Sequence, residues 1–357
     1  MRVKLIIASD STDSDNKVPV DNLLQKLHKN WEHYQLAVTA EDNKNSTAAK
    51  KPLKVIVCVS GGSDSVALLH LLQRQRTLLN LEPHLLHFNH QLRPEADHEQ
   101  DFVHALADQY EIPFHHKTAK HLKSGQSALQ ESARDWRIEE SCRLLKHLGG
   151  GRIATGHQAD DQLETLLLKL LRGTHISNLQ GMQWTNEDFI RPLLNCRKTE
   201  LQEYLKSNQL TWLEDTSNQS TAYLRNRVRL ELIPLLEELT RQGLHSRIND
   251  LSEQSRLLRE FLDSDYKSWQ QNHKNSAANS QDVLPVKILQ QANDLLQQEI
   301  LHDFITARTG QALSFRKLQN IFIQLRTGSN LWEMHLSQKW KICKSREELC
   351  LQQNQQP

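Results

Sequence analysis

Ser60-Gly61-Gly62-Ser63-Asp64-Ser65 is the densest run of chemically useful residues in the chain. Two adjacent glycines let the backbone turn sharply and expose its amides, and a helix starting there adds the partial positive charge of its amino terminus. Serine hydroxyls donate to phosphate oxygens, so the run predicts an anion cradle. Asp64, itself an anion, cannot bind a phosphate directly, but it can hold a magnesium ion that bridges to one. No G-K-[ST] follows, so this is not a Walker A loop. A plain strand-to-helix turn capped by Ser63 or Asp64 would use some of the same residues.

A second cluster is Asp160-Asp161-x-x-Glu164. On a helix, Asp160 and Glu164 stand one turn apart at i, i+4, and Asp161 and Glu164 are neighbours at i, i+3. Acidic residues favour a first helical turn in any case. Three carboxylates together still require a cation, and magnesium and an ammonium group both qualify. His84, His87 and His90 invite a zinc reading, but a spacing of three in a strand sends successive side chains to opposite faces. The five cysteines contain no C-x-x-C pair, which argues against a thiolate zinc site, an iron–sulfur cluster or a disulfide framework. A reducing cytoplasm suits them best.

The elements that must position these residues follow from periodicity. Leu53 to Val59 is β-branched, nearly continuous in apolar character and bounded by Pro52 and the glycine pair, as in a strand buried on both faces. Val66, Leu68, Leu69, Leu71 and Leu72 then describe a helix. Strand-like and helix-like segments alternate: Pro83–Asn89 strand, His98–Tyr110 helix, Ile112–His116 strand, Ser127–Leu148 helix, Arg152–Thr155 strand, Asp160–Leu171 helix. That order predicts βαβ units in one parallel sheet. Ahead of them, residues 19–38 predict a helix and Glu41–Lys51 a polar linker. From about Asn226 the pattern is helical, with Gln270–Gln281 expected as a loop and Leu331–Leu351 as two short strands forming a hairpin.

With 357 residues, the chain is expected to hold two or three domains. No apolar run approaches the roughly 20 residues of a membrane helix, so a soluble protein is expected. The start of the chain lacks the apolar stretch of a signal peptide and carries Asp10, Asp13 and Asp15, unlike a transit peptide. The formal net charge of +1 neither demands nor excludes a nucleic-acid partner, which needs only a local excess of cations.

S-G-G-x-D-S after a first strand resembles the PP-loop of the ATP pyrophosphatases, which bind ATP and release pyrophosphate while adenylating a substrate. Further segments narrow the resemblance to the tRNA(Ile)-lysidine synthetase family. These are His87 to Pro94 (HFNHQLRP), Glu131 to Arg137 (ESARDWR), Ala154 to Thr165 (ATGHQADDQLET) and Arg172-Gly173-Thr174. Arg191-Pro192-Leu193-Leu194, Trp212 to Asn218 (WLEDTSN) and Arg225 to Arg229 (RNRVR) continue it. It covers residues 52–235 in detail and the chain to about 351 more loosely.

The resemblance implies an α/β fold: a parallel-sheet nucleotide-binding domain of the PP-loop ATP pyrophosphatase type, followed by a smaller, mainly helical domain. The expected division is an N-terminal helix and linker at 1–51, the ATP-binding catalytic domain at 52–230, a tRNA-contacting helical domain with a terminal hairpin at 231–351, and a tail at 352–357. The implied activity is that of an ATP-dependent ligase. ATP adenylates the oxygen on carbon 2 of the wobble cytidine in the CAU anticodon of an isoleucine tRNA, pyrophosphate leaves, and the ε-amine of free lysine displaces AMP.

The family carries ATP binding over to Ser60, Gly61, Gly62, Ser63, Asp64, Ser65, His90 and Arg93, magnesium to Asp64 and Asp160, and lysine to Asp161 and Glu164. Asp64, Asp160, Asp161 and Glu164 together are the expected catalytic residues. Where this chain has Asn89 the family often has Asp, so a metal role is not carried over there. For a tRNA substrate, Arg225 and Arg229, which share a helical face, are the expected phosphate contacts. Arg134, Arg137, Arg143, Lys146, Arg152 and Arg227 are weaker candidates, because Glu139, Glu140, Glu231 and Glu237 are interleaved with them as on solvated helix faces. The family also implies a homodimer in the cytoplasm, and the further carboxyl-terminal domain of its longer members is expected to be absent. Two rivals remain: another PP-loop enzyme such as a tRNA thiolase, disfavoured by the missing C-x-x-C, and an RNA-binding module with a relict ATP site.

Overall fold

The structure, a computed structural model, describes residues 20–38, 51–91, 96–119, 129–214, 224–241, 243–273, 283–310 and 313–354. It divides into two compact units. The first comprises residues 1–165 and 182–245, the second 166–181 and 246–357.

Strand β1 (Leu53–Cys58) is central to the first unit. It pairs in parallel with β2 (Leu81–Asn89) on one side and β4 (Arg152–Ala154) on the other. Beyond β2 lies β3 (Phe114–Thr118), and beyond β4 lie β6 (Phe189–Ile190) and β5 (Thr185–Asn186), giving the order β3-β2-β1-β4-β6-β5. Only β5 runs antiparallel to its neighbour. Helices α2 (Ser63–Arg74), α3 (Ala96–Gln109) and α4 (Leu129–His147) connect the parallel strands.

Alternation along β1 explains its unbroken apolar character. Val55 and Val57 enter a core shared with Leu68, Leu69 and Leu72 of α2 and Val103 of α3. Ile56 points the other way, to Leu86, Leu144, Leu145 and Ile153. Both faces of the strand are therefore buried, as a parallel sheet between helices requires. Helix α1 (Val20–His33), expected as part of a separate leading segment, places Leu23, Leu27 and Trp31 in the same core as Val55. The linker expected after it falls mostly on residues 39–50, outside the described residues.

Strand β3 begins at Phe114 rather than Ile112. The amide of Ile112 is used up closing α3, bonded to the Ala107 carbonyl at 3.0 Å. Glu111 takes the left-handed conformation (φ 52) that such a helix end needs. Helix α6 (Lys198–Ser207), which the periodicity did not single out, buries Leu201, Tyr204 and Leu205.

In the second unit, α8 (Asp294–Thr309) and α9 (Phe315–Thr327) bury Ile300, Leu301, Ile305, Ile321 and Phe322 against Ile342, Leu349 and Leu351. The expected two-stranded hairpin is corrected to three strands, β8 (Leu331–His335), β9 (Trp340–Ser345) and β10 (Glu348–Gln353). With β7 (Val283–Pro285) they form an antiparallel sheet ordered β7-β10-β9-β8. Short strands such as three-residue β7 carry too few alternations to stand out in sequence. Among the described residues, no helix is long and apolar enough to cross a membrane.

Candidate active site

The chain leaves β1 to build β2 and β3 on one side and later returns to build β4 on the other. Strand order thus reverses between β1 and β4, and open α/β sheets bind ligands at that crevice, beyond the carboxyl ends of the strands. Ser60–Ser65 follows β1 there, and Thr155–Asp161 follows β4. The two turns touch. A Cβ added to Gly156 would lie 3.1 Å from the Asp64 carbonyl carbon and oxygen and from the Ser65 nitrogen.

Within the first turn Gly61 has φ 91, a conformation that costs glycine little and other residues more. Its carbonyl accepts the Leu213 amide at 2.9 Å, which ties the turn to a distant segment. The Ser65 hydroxyl donates to the Gly62 carbonyl at 2.9 Å and accepts the Ser60 amide at 3.2 Å. Gly62, the residue before α2, offers no side-chain cap, so the first turn of α2 keeps its amides for an incoming acceptor.

Asp64 follows in that turn and accepts from the Ser63 hydroxyl at 2.9 Å. Burial raises its pKa, Lys198 and the Ser63 bond oppose this, and the nearby charges of Asp161 and Asp160 add to the rise. Asp160 and Asp161 open helix α5 (Ala159–Leu171). Asp160 accepts the Lys198 amide on Oδ2 at 2.9 Å, and His245 Nε2 lies 3.1 Å from Oδ1. Burial works to raise the Asp160 pKa, but His245 and the Lys198 amide outweigh it and hold the carboxyl below its ordinary range. His245 also approaches Glu237 at 3.4 Å. No motif in the sequence pointed to His245 or Lys198. Their separation from Asp160 in the chain leaves no local signal.

Glu164 is fully buried, and two arginines answer it. Arg225 Nε donates to Oε2 at 2.7 Å and Arg229 Nε donates to Oε1, while both guanidiniums also approach Asp161 Oδ1, at 3.4 and 3.5 Å. The residues expected to bind lysine and those expected to bind tRNA therefore meet in one ion-paired cluster. The arginines come from helix α7 (Leu224–Arg227) and the π-helical turn Val228–Leu232 that follows, where the Ile233 amide reaches back to the Val228 carbonyl. Such turns concentrate at functional sites. Side-chain exposure is 48% for Arg225 and 31% for Arg229, so each keeps a solvent-facing side.

Of the weaker cations, Arg143 pairs with Glu139 and Glu140, and Arg227 with Glu231, within their own helices. Among the described residues, Arg134 and Arg137 have no carboxylate partner. With Arg191 and Arg225 they surround His157, whose pKa burial and these charges push down to about 4. His90 lies beside Trp136, ring centroids 5.4 Å apart, and Arg93 lies outside the described residues. His84 contacts His115 at 3.2 Å and Glu82 at 3.3 Å, whereas His87 bonds the Val59 carbonyl at 2.9 Å. Asn89 holds Asp97 at 3.1 Å and the Gln91 amide at 2.9 Å.

Residues 33–236, more than half of the chain, match the PP-loop domain family. The chain belongs to the PP-loop family. The Ser60–Ser65 turn, expected as the PP-loop, lies within the matched residues. A tRNA(Ile)-lysidine synthase of Enterococcus faecalis is 31% identical to this PP-loop protein over 313 residues, 84% of the chain and 66% of the relative. One from Chlorobaculum tepidum is 35% identical over 213 residues, 58% of the chain and 64% of the relative. A third, from Clostridium tetani, is 34% identical over 61% of the chain and 48% of the relative. The chain thus spans about half to just under two thirds of the length of these relatives. A U34-tRNA thiolase of Methanococcus maripaludis shares the PP-loop fold with a TM-score of 0.51, over 67% of this chain and 80% of that one, at 16% identity.

The contact between the PP-loop and Gly156 leads to a direct expectation. Gly156→Ala inserts a methyl where backbone atoms stand at 3.1 Å, so the PP-loop must shift by a few tenths of an ångström. Since a displacement of about 1 Å can cost 10²-fold, the ATP Michaelis constant should rise several-fold with the melting temperature little changed. An unaltered constant would show that the two turns move independently.

Proposed function

We propose that this PP-loop protein ligates free lysine to carbon 2 of the wobble cytidine of a CAU-anticodon isoleucine tRNA at the expense of ATP. The observation that carries the reading is the meeting of a phosphate cradle and an acidic helix start at one sheet crevice, with Gly156 against Asp64. The similarity to the lysidine synthases supports the choice of substrate.

In this reading the amides and hydroxyls of Ser60–Ser65 hold the ATP phosphates, and His90 and Arg93 also serve ATP binding. Cytidine O2 attacks the α-phosphorus and pyrophosphate leaves. The lysine ε-amine then attacks carbon 2, and the carbon–oxygen bond breaks to release AMP. Asp64 and Asp160 are the residues that would hold magnesium: burial, and to a lesser extent the charges of Asp161 and Asp160, raise the Asp64 pKa, a penalty that a bound cation would relieve, and among the described residues no cage of three or more ligands is built. Magnesium commonly takes one or two carboxylates plus substrate phosphates. When bound, it would neutralise charge developing on the phosphates. Residues 52–230 supply this chemistry, and residues 231–351 contact the tRNA.

Sulfur transfer suits the cysteines poorly, since burial pushes Cys58 up to about 11 and Cys196 up to about 12, away from the reactive thiolate. The test is pyrophosphate release and lysine incorporation with purified tRNAs. Release that depends on the isoleucine tRNA, followed by lysine incorporation, supports the reading, and release indifferent to tRNA would sink it.

Arg225 and Arg229 are proposed to serve two partners, Glu164 within the fold and phosphates from their exposed side. Changing both to alanine should raise the tRNA Michaelis constant and flatten its salt dependence by a log–log slope of about 1 to 2. An unchanged slope would leave them with the internal role alone.

A further inference from the structure

Cys343 and Cys350 are seven positions apart and unremarkable in sequence, but strand pairing sets them directly opposite each other on β9 and β10. Their neighbours Ile342, Leu349 and Leu351 are buried in the core of the second unit. Alternation therefore sends both thiols to the other, solvent-facing side, where each is half-buried. One side chain gathers them. The Cys343 thiol points at Gln352 Oε1 at 3.5 Å, and Gln352 Nε2 donates to the Cys350 sulfur at 3.8 Å. The Cys350 thiol also approaches the Cys343 carbonyl at 3.6 Å. Directly opposed antiparallel residues have Cα atoms about 4.5 or about 5.5 Å apart. Both values lie within the roughly 4.4–6.8 Å that disulfides span.

We propose that Cys343 and Cys350 form a thiol–disulfide exchange site for low-molecular-weight disulfides, closing reversibly into a cross-strand disulfide. The thiolate of one cysteine attacks a sulfur of the small disulfide, forming a mixed disulfide and releasing one small thiol. The thiolate of the other cysteine attacks the protein sulfur of that adduct, the mixed bond breaks, and a second small thiol leaves. Two electrons pass from the cysteine pair to the small disulfide, and the two thiol protons end on the two small thiols. The first attack needs a thiolate. Burial, then Cys350, and Glu333 opposite on β8 push Cys343 above its ordinary range, with Lys341 opposing, so its thiolate is scarce at neutral pH and exchange quickens as pH rises. Among the cysteines, only these two face each other across paired strands of the described residues.

Oxidised glutathione tests the site on the folded full chain, with thiols counted after acid quenching and unfolding. The count should fall from five to three as two cysteines are consumed. No glutathione should remain bound, peptide mapping should join Cys343 to Cys350, and dithiothreitol should restore all five. Cys350→Ser removes the resolving partner, so Cys343 should instead retain glutathione as a stable adduct. Cys343→Ser should do the same for Cys350. Five free thiols after treatment, loss mapped to Cys58, Cys142 or Cys196, or a glutathione adduct that persists on the unsubstituted chain would each overturn the proposal.

Discussion

Asp64→Ala is expected to reduce ATP-dependent pyrophosphate release on the order of a thousand-fold or more while the protein stays folded. A magnesium ion contributes several kcal/mol of charge stabilisation in phosphoryl chemistry, which corresponds to a loss of that size. The structural cost should be small. The hydrogen bond to Ser63 is the one the Asp64 carboxylate makes within its turn, and no core residue rests on it. The sign of the stability change is also determined. Burial and the charges of Asp161 and Asp160 raise the Asp64 pKa in the folded protein, so its ionised form is penalised there relative to the unfolded chain. At pH 7 Asp64 therefore opposes folding, and the alanine variant should unfold at equal or higher denaturant. That advantage should shrink as the pH falls toward the ordinary carboxylate range, where the residue is protonated in both states. Pyrophosphate release at the normal rate in the variant would remove the metal role. A large drop in the denaturation midpoint would show instead that Asp64 supports the turn.

Glu164→Gln should separate the two halves of the proposed reaction. The amide keeps the volume of the side chain, but its single oxygen can accept from only one of Arg225 and Arg229, and its NH2, a donor, faces the other guanidinium. It also removes the negative charge that would draw an ammonium. Losing one charge-assisted bond costs about 1.5 to 3 kcal/mol, or roughly ten- to a hundred-fold in a rate that depends on it. That loss should fall on lysine incorporation, with the pyrophosphate burst within a few-fold of normal, so an adenylated tRNA accumulates. The ion pairs add a second expectation. With Glu164 neutral, the two guanidiniums keep, among the described residues, only Asp161 as a carboxylate partner, and the denaturation midpoint should also fall. Single-turnover assays with labelled ATP and labelled lysine distinguish the cases. Equal loss in both steps would move Glu164 to the ATP side and end its assignment to lysine.

Much of the site is legible in the sequence because its signals are local. A buried strand, a glycine turn and a helix follow one another within about 20 residues. Each is set by the alternation of side chains or by the conformational freedom of Gly61. The same holds for Asp160, Asp161 and Glu164, whose common helix follows from the leucine spacing after them. The interleaved glutamates, read in the sequence as marking solvated helix faces, are the ones that pair with Arg143 and Arg227, as i, i+3 and i, i+4 neighbours.

Tertiary structure alone decided which of these local pieces meet. The order β3-β2-β1-β4 makes the crevice, and nothing within either loop specifies that Gly156 will stand against Asp64. Glu164 finds Arg225 and Arg229 across 61 and 65 residues, and Asp160 finds the Lys198 amide across 38. Periodicity cannot encode such encounters, because it reports which face a side chain takes and not what stands opposite. Cys343 and Cys350 show the same division. Their alternation with buried residues is written in the sequence, but a one-residue slip in the pairing of β9 and β10 would part them, and only the register of the folded sheet sets thiol against thiol.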